Sequence, residues 1–309
     1  MWDDHESAND SSRSGAENHQ PQCPPEGIPG SCTADEGDWN VRRDASIQAY
    51  LEWMPVREQA DADRIYRAFA FGDLFDLLML DTRLVGRDPK PADGSDFEDL
   101  AAPDRELLGP EQEAWLFDQL EASMARGARW RVLGQQVMLA HLQDTTGLVA
   151  GVPAYINTDQ WDGYQAARER LFAFIESSPI DDLIVLTGDL HSSWASELAN
   201  DPYDPQVYDP ETSAGSLGVE FVVSAVTSEI GEDLIPAPAL AETLVRNTQP
   251  HNRYVDLQHK GYLLLDITAD LVEASFYNLA TVREPSLEQE LAAVWRCQRG
   301  TARLQPGDT

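Results

Sequence analysis

The sequence predicts an α/β sandwich built around a mixed β-sheet, and three observations support this prediction. Strand-like and helix-like segments alternate along most of the chain. The run Leu183–Leu186 is continuously apolar and leads to a glycine, as in a strand that is buried on both faces. Two alternating segments, Tyr262–Thr268 and Leu271–Tyr277, indicate a closing hairpin. With 309 residues and 42% hydrophobic content, the chain is long enough to bury a large core.

Local signals predict the elements in the first half of the chain. Asp38 precedes a helical apolar pattern that stops at Pro55. Gly109-Pro110 and Gly127 bracket another apolar stripe and predict the two ends of a second helix. The predicted elements are a polar loop over residues 1–38, a helix over Asp38–Met54, an edge strand over Tyr66–Phe71, a buried strand over Leu77–Asp81, an acidic loop over 84–108, a helix over Gly109–Gly127 and a strand that begins at Trp130.

The second half continues the alternation. Asp159–Tyr164 lies at the entry of a helix whose apolar face includes Leu171 and Ile175. His251 and His259 flank the start of a strand, and we expect both at the surface. The other predicted elements are the strand Leu183–Thr187, the strand Gly218–Ala225, the helix Ala237–Asn247 and the closing hairpin.

The charge balance opposes two classes of partner. A formal net charge of −32 at pH 7 disfavours binding to a nucleic-acid backbone or to an anionic membrane surface. Lys90 and Lys260 are the only lysines, and excess carboxylate with so little lysine is typical of salt-adapted organisms. We therefore expect most acidic residues to be solvated surface. No apolar run reaches the roughly 18 residues of a membrane span.

The cysteines and the first residues leave the cellular compartment open. Cys23 and Cys32 flank a Pro/Gly-rich loop and suit either a local disulfide in an exported protein or two free thiols. Cys297 stands alone near the end. Met1–Glu6 has no basic or apolar region, so this chain is expected to carry no signal peptide.

One candidate site follows the central strand. Gly188 is succeeded by Asp189 and His191, so one strand end presents a carboxylate and an imidazole two residues apart. These groups suit a metal site as hard oxygen and nitrogen ligands. The alternative is an aspartate that caps the next turn and a histidine at the surface.

A second cluster lies in the first ten residues. Asp3, Asp4 and Asn9 offer oxygen ligands for a hard metal ion, which leaves His5 for proton transfer. The alternative is an acidic, mobile N-terminus without a metal.

Other polar and aromatic residues lie near predicted strand ends or helix entries. Arg83 follows a buried strand with Asp81 and is a candidate for substrate binding, although a structural ion pair explains it equally well. Gln136 ends the next strand, where a hydrogen bond to the backbone is the alternative role. Trp161 and Tyr164 are further candidates for substrate contacts, with packing under a loop as the alternative.

Taken in order, these segments resemble the PhoD-like alkaline phosphatases of the calcineurin-like metallophosphoesterase superfamily. The resemblance covers nearly the whole chain. It rests on Trp2–Glu6, Gln48–Arg57, Leu80–Arg83, Gln135–Met138, Trp161–Tyr164, Thr187–His191 and Glu220–Ser228. It implies a metallophosphoesterase-type sandwich of mixed β-sheets flanked by helices, with calcium and iron at the strand ends. It also implies hydrolysis of phosphate mono- and diesters, and export.

The resemblance implies roles for single residues. Asp4 and His5 correspond to the family's Asn-His-type segment, with Asp4 as a ligand and His5 as the proton donor. Asp189 and His191 correspond to its last ligand motif. Such metals polarise phosphoryl oxygens and activate water, while an imidazolium protonates the leaving alkoxide. The predicted metal ligands are Asp3, Asp4, Asn9, Asp189 and His191.

One departure from the family pattern bears on activity. Family members carry, before the Trp-Asp-Asp-His-Glu segment, a small β-rich domain and strands whose cysteine-containing and Gly-Asp-Tyr motifs supply further ligands. We find neither motif ahead of Trp2 and expect a fragment that binds metal weakly and turns over poorly. The expected regions are an active-site loop over 1–38, the C-terminal portion of the metallophosphatase domain over 39–280, lacking its N-terminal strands, and a C-terminal tail over 281–309.

Two other hypotheses remain open. One is a different metallophosphoesterase, of the purple-acid-phosphatase or nucleotidase type. The other is a catalytically inactive acidic binding protein on the same fold, which the missing motifs and the negative surface favour. The presence of His5, Asp189 and His191 opposes it, because an inactive scaffold has no physical need for them.

Overall fold

The structure is a computed structural model that describes residues 1–20, 36–60, 64–91, 97–144, 154–228 and 237–308. The predicted loop cysteines, Cys23 and Cys32, lie outside the described residues. The helices are α1 (Trp39–Trp53), α2 (Phe97–Leu100), α3 (Pro110–Arg126), α4 (Gln165–Ser177) and α5 (Pro238–Thr248), with a 3₁₀ turn at Trp161–Gly163. The strands are β1 (Arg67–Phe71), β2 (Phe75–Met79), β3 (Trp130–Gln135), β4 (Gln143–Asp144), β5 (Ala154–Tyr155), β6 (Leu183–Thr187), β7 (Ser193–Leu198), β8 (Gly218–Val222), β9 (Asn252–Asp256), β10 (Gly261–Ile267), β11 (Leu271–Leu279), β12 (Gln289–Gln298) and β13 (Leu304–Pro306).

The helix signals act as predicted. The Asp38 side chain accepts hydrogen bonds from the amides of Asn40 and Val41, which caps α1. Pro110 occupies the first turn of α3, and Gly127 ends that helix in the left-handed conformation, with φ of 77°.

A seven-stranded mixed sheet forms the centre of the molecule, in the order β1-β2-β3-β6-β8-β7-β9. The pairs β2–β3, β3–β6 and β6–β8 are parallel, so these four strands end at the same edge. The strands β1, β7 and β9 join antiparallel at the two sides. The prediction of a mixed sheet is confirmed.

The central sheet is covered on both faces, which explains the continuous apolar character of β6. On one face, Leu133 and Val185 pack in a core with Leu116 of α3 and Leu171 of α4. On the other face, a second sheet in the order β10-β11-β12-β13 buries residues that include Val272 of β11. Two packed β-layers with helices outside give the predicted sandwich.

The C-terminal tail prediction for residues 281–309 is corrected. This segment contains β12 and β13, and β12 pairs with β11 along the whole of Leu271–Leu279. The run Glu290–Val294 favours a helix by intrinsic propensity, but pairing and the burial of Cys297 override that preference. The second sheet therefore depends on a segment that the sequence pattern did not reveal.

Three smaller expectations also change. The strand β7 was not predicted, because its Ser193–Leu198 sequence mixes polar and apolar residues, yet every position is buried between β8 and β9. The acidic loop 84–108 contains the short helix α2. His251, expected at the surface, is 1% exposed. Among the described residues, no helix combines the length and the apolar character needed to cross a membrane.

Candidate metal centre

The parallel strands β2, β3 and β6 deliver polar residues to one edge of the central sheet. Asp81 follows β2, Gln136 follows β3, and Asp189 follows β6. Carboxyl ends of parallel strands are where binding groups gather in such sheets. Asp189 itself has a φ of 63°, a left-handed conformation that turns the chain sharply after Gly188.

The N-terminal loop is fastened to this edge by Trp2. The Trp2 indole, 1% exposed, donates from Nε1 to Asp81 Oδ1 at 3.1 Å. Gln136 Nε2 donates to the Trp2 carbonyl at 2.6 Å, and Gln136 Oε1 accepts from the Thr82 amide at 3.0 Å. Burial raises the pKa of Asp81, although the amides of Arg83 and Leu84 lower it in part. These contacts give the loop a fixed place above the strand ends.

Asp4 organises the loop that follows Trp2. Its Oδ1 accepts from the His5 amide at 2.7 Å, and its Oδ2 accepts from the Asp10 amide at 3.0 Å. The Asp4 carbonyl also accepts from the amides of Ser7 and Ala8. The Asp4 side chain is buried, which requires compensation of its charge.

Asp3, Asp4 and Asp189 form the candidate metal centre. Each offers a carboxylate oxygen, and these three oxygens lie within 4.8 Å of one another. Carboxylate oxygens are the type of ligand that hard divalent cations such as Ca²⁺ prefer. Burial, and secondly the Asp189 charge, raise the pKa of Asp3 to about 7, as expected where carboxylates converge. The donor set therefore fits a bound cation.

Arg83 lies beside this centre and is 1% exposed. Its Nε donates to Asp3 Oδ1 at 3.2 Å, its Nη1 donates to Asp159 Oδ2 at 2.8 Å, and its Nη2 donates to Asp189. Burial alone would lower the pKa of Arg83, but Asp159 and Asp189 raise it well above the ordinary value. All three guanidinium nitrogens of Arg83 face carboxylates of the protein itself, and a substrate contact by Arg83 stays a prediction.

Two predicted ligands and the predicted proton donor lie around the centre rather than in it. His191, with φ of 53°, contributes no atom to the three-carboxylate group. Asn9 Nδ2 donates to Glu17 Oε2 at 2.5 Å, at the exposed side of the loop. The His5 side chain is 70% exposed, and its Nε2 lies 3.8 Å from Asp4 Oδ2. Their roles as ligands or acid stay predictions.

The other predicted substrate residues are packed inside the protein. Trp161 donates from Nε1 to Gln135 Oε1 at 2.9 Å and is 1% exposed. The Tyr164 hydroxyl donates to the Asp88 carbonyl at 2.8 Å, and its ring lies under the Arg87 guanidinium. Gln136 is bound to Trp2 and Thr82 as described above. This arrangement agrees with the packing and backbone-bonding alternatives for all three residues.

Sequence reasoning missed the groups that hold the carboxylates in place. The Asp159 carboxylate accepts hydrogen bonds from Arg83 Nη1 and from Arg87 Nη2. Burial alone would raise the pKa of Asp159, but these two cations lower it below its ordinary value. Gln160 Nε2 donates to Asp189 Oδ2 at 2.7 Å. The sequence does contain one signal for such carboxylates, which is the presence of two arginines close to a buried strand. Two arginines that follow a buried strand, Arg83 and Arg87, require buried carboxylates elsewhere in the chain.

The mixed sheet, the second sheet behind it and the carboxylates at the strand ends define a metallophosphoesterase-type sandwich. The sequence model of the family described as PhoD-like phosphatase matches residues 1–276, and the chain belongs to that family. Alkaline phosphatase D of Bacillus subtilis is 34% identical over 290 residues, which are 92% of this chain and 44% of the relative.

A solved structure of PhoD has a TM-score of 0.80 and 31% sequence identity to this chain, and the match covers 100% of this chain and 54% of that one. The chain therefore spans about half the length of both proteins, 44% and 54% respectively.

Proposed function

We propose that this protein hydrolyses phosphate mono- and diesters with the help of bound metal ions. The observation that carries the proposal is the convergence of Asp3, Asp4 and Asp189 at the strand ends of a PhoD-like chain. Three carboxylates in one place repel one another, and a bound cation offsets that repulsion. The curated relative, alkaline phosphatase D, supports a phosphate ester as the substrate class.

Calcium is the ion that we propose for the three carboxylates. All three donors are hard oxygens, which Ca²⁺ and Mg²⁺ prefer. A second ion, iron, is proposed from the family resemblance, with His191 as its nitrogen donor and Asn9 as a further oxygen donor. When bound, such ions polarise phosphoryl oxygens and lower the pKa of a coordinated water.

The protein's own groups supply binding and proton transfer. His5 is the proposed general acid, since its exposed imidazole stands beside Asp4 at the rim of the centre. A protonated His5 would donate its proton to the leaving alkoxide oxygen. The Asp4 carboxylate oxygen Oδ2 lies 3.8 Å from His5 Nε2, which places the imidazole next to a candidate metal ligand.

A hydrolysis assay tests the proposal. The substrates are para-nitrophenyl phosphate and its bis-ester, in molar salt with Ca²⁺ and Fe³⁺. In line with the poor turnover predicted from the sequence, we expect slow hydrolysis that stops with a chelator and that falls at least about 100-fold further in Asp189→Asn, because one of three ligand charges is lost. Asp266→Asn on the exposed face of β10 is the matched control and should keep wild-type rates. No metal-dependent turnover in any variant would favour an inactive acidic binding protein.

We further propose that the protein acts outside the cytoplasm and at high salt. Export is proposed from the family resemblance, and the salt adaptation from the net charge of −32. Fractionation of the source cells, with detection by antibody, tests the first part. Recovery of the protein solely in the cytoplasm would contradict export.

A further inference from the structure

Arg83 joins three separate segments of the chain through its guanidinium group. Asp3 belongs to the N-terminal loop, Asp159 to the segment before α4, and Asp189 to the turn after β6. Each nitrogen of Arg83 donates to a different one of these carboxylates. A planar guanidinium has donors at fixed angles, so three simultaneous contacts restrict where the carboxylates sit.

Asp159 differs from the other two partners, because it is not part of the three-carboxylate group. It is held independently by Arg87, whose Nη2 donates to both its side chain and its carbonyl, and by Asn157 Oδ1, which accepts from its amide at 2.9 Å. Asp159 thus anchors one side of the Arg83 guanidinium. The two remaining sides of Arg83 face Asp3 and Asp189, which are candidate metal ligands.

From this geometry we infer that Arg83 is a positioning residue for the metal centre, acting through Asp3 and Asp189 and not on the substrate. The inference rests on the proposed function, because it assumes that Asp3 and Asp189 bind metal. Arg83 restrains the Asp3 and Asp189 carboxylates by hydrogen bonds. Gln160 Nε2 restrains Asp189 as well, because it donates to Asp189 Oδ2 at 2.7 Å.

The hydrogen bonds of Arg83 leave the carboxylates able to bind an ion. An ionised carboxylate has about four acceptor positions, so an oxygen that accepts from arginine keeps a lone pair for a metal. Outer partners of this kind orient metal ligands, and their loss commonly weakens metal binding by about 10- to 100-fold. The positive charge of Arg83 acts in the opposite sense, since it repels a cation. If orientation of the ligands dominates, replacing Arg83 weakens ion binding; if charge repulsion dominates, replacing Arg83 strengthens it.

The direct test is Ca²⁺ binding by Arg83→Met, measured by calorimetry on the folded 309-residue chain and repeated with Mn²⁺ by electron paramagnetic resonance. Methionine keeps the length of the side chain but removes the charge and the donors. We expect Ca²⁺ and Mn²⁺ to bind about 10- to 100-fold more weakly. Arg83→Lys, which has a charge but no planar fork, should restore part of the affinity.

Arg253 offers a matched control. It is another arginine at the centre of a partly buried network, with Nη2 donating to Glu197 Oε2 and to the Tyr208 hydroxyl, each at 2.9 Å. Arg253→Met should lower the melting temperature and leave ion affinity at wild-type values. If Arg83 has only a structural role, both variants will behave in this way.

A double-mutant cycle with Asp159→Asn tests the anchor. Asp159 is not one of the proposed metal ligands, yet its substitution should weaken Ca²⁺ binding because Arg83 Nη1 loses the carboxylate that holds the guanidinium in place. The double variant Arg83→Met/Asp159→Asn should bind Ca²⁺ only a little more weakly than Arg83→Met alone. Both changes disrupt the same set of contacts, by which Asp159 anchors Arg83 and Arg83 positions the ligands; this set is called the clamp. Fully additive losses would contradict the clamp.

The outcomes separate the inference from the proposed function. Unchanged or tighter Ca²⁺ binding in Arg83→Met overturns the positioning role. A wild-type chain that takes up neither Ca²⁺ nor Mn²⁺ removes the metal centre and the inference together. A chain that binds the ions and shows the Arg83 effect, but hydrolyses no phosphate ester, supports the inference and overturns the proposed function.

Discussion

His141 and His251 lie on two sides of Tyr203, at ring-centroid distances of 5.2 and 5.9 Å. Burial, assisted by Arg168, lowers the pKa of His141 to about 2, and burial lowers the pKa of His251 to about 3. Both imidazoles are therefore neutral in the folded protein at neutral pH. In an unfolded chain a histidine has an ordinary pKa of about 6.5.

These lowered pKa values predict a loss of stability in acid. Between pH 6.5 and about 3 the unfolded chain binds protons at His251 that the folded chain does not. The contribution of the two neutral histidines to the free energy of unfolding is therefore fully present above pH 6.5. Below pH 6.5 it falls by about 1.4 kcal/mol per pH unit for each histidine. Urea unfolding at pH 7.5 and 5.0 measures the slope, and His251→Leu should reduce it by about that amount. An unchanged slope in the variant would refute the assignment to His251.

Residue types were predictable from the sequence, but their partners were not. Asp189 is a ligand candidate because it follows a buried strand, and Asp3 and Asp4 are candidates because the first ten residues hold a dense cluster of oxygen donors. The partners of Arg83 are 80, 76 and 106 residues away along the chain, and no local pattern relates them. The sequence leaves Gln136 open between a substrate contact and a backbone hydrogen bond, and only the folded structure shows its bonds to the Trp2 carbonyl and the Thr82 amide.

At the scale of elements, β12 determines whether the second sheet forms. It pairs with β11 on one side and β13 on the other. The buried Val272, Ala274 and Phe276 of β11 belong to the same core as Ala293 and Cys297 of β12. Removal of β12 would expose both this core and a long strand edge.

A chain that ends at Ala280 tests this dependence. We expect it to lose cooperative thermal unfolding and to aggregate, because the edge of β11 and part of one face of the central sheet become exposed. Near-ultraviolet circular dichroism and light scattering report the two effects. If residues 281–309 were only a tail, the shortened chain would keep a melting temperature within a few degrees of the full chain.

Elements with strong local signals were predictable, and elements stabilised by pairing were not. The sequence marks α1 by Asp38 before it and Pro55 after it, and α3 by Pro110 in its first turn and Gly127 at its end. The bounds of both helices agree with the structure to within a residue or two. The strand β6 was evident from its apolar run. By contrast, β7 and β12 have mixed or helix-favouring sequences and exist because their neighbours provide hydrogen bonds.

At the scale of the whole molecule, charge is the dominant feature. The chain has 54 acidic and 22 basic side chains, so self-repulsion opposes the compact state. Salt shortens the screening length from about 10 Å at 0.1 M to about 3 Å at 1 M. Buried pairs such as those of Arg83 are screened far less than surface charges.

Stability is therefore predicted to rise with salt. The melting temperature at 2 M KCl should exceed that at 0.05 M KCl by several degrees, because screening removes repulsion among surface carboxylates. Differential scanning calorimetry at constant pH measures the shift. A melting temperature that stays constant or falls over this range would show that the excess acidic charge does not limit stability.

The central claim is that Asp3, Asp4 and Asp189 bind a metal ion at the strand ends of the central sheet. The most direct test is a crystal of this chain soaked in Mn²⁺ and measured at the manganese absorption edge. We predict an anomalous peak within coordination distance of these three carboxylates, with Arg83 still bridging Asp3, Asp159 and Asp189. A Mn²⁺-saturated crystal with no peak between these carboxylates, or with its peak elsewhere, would contradict it.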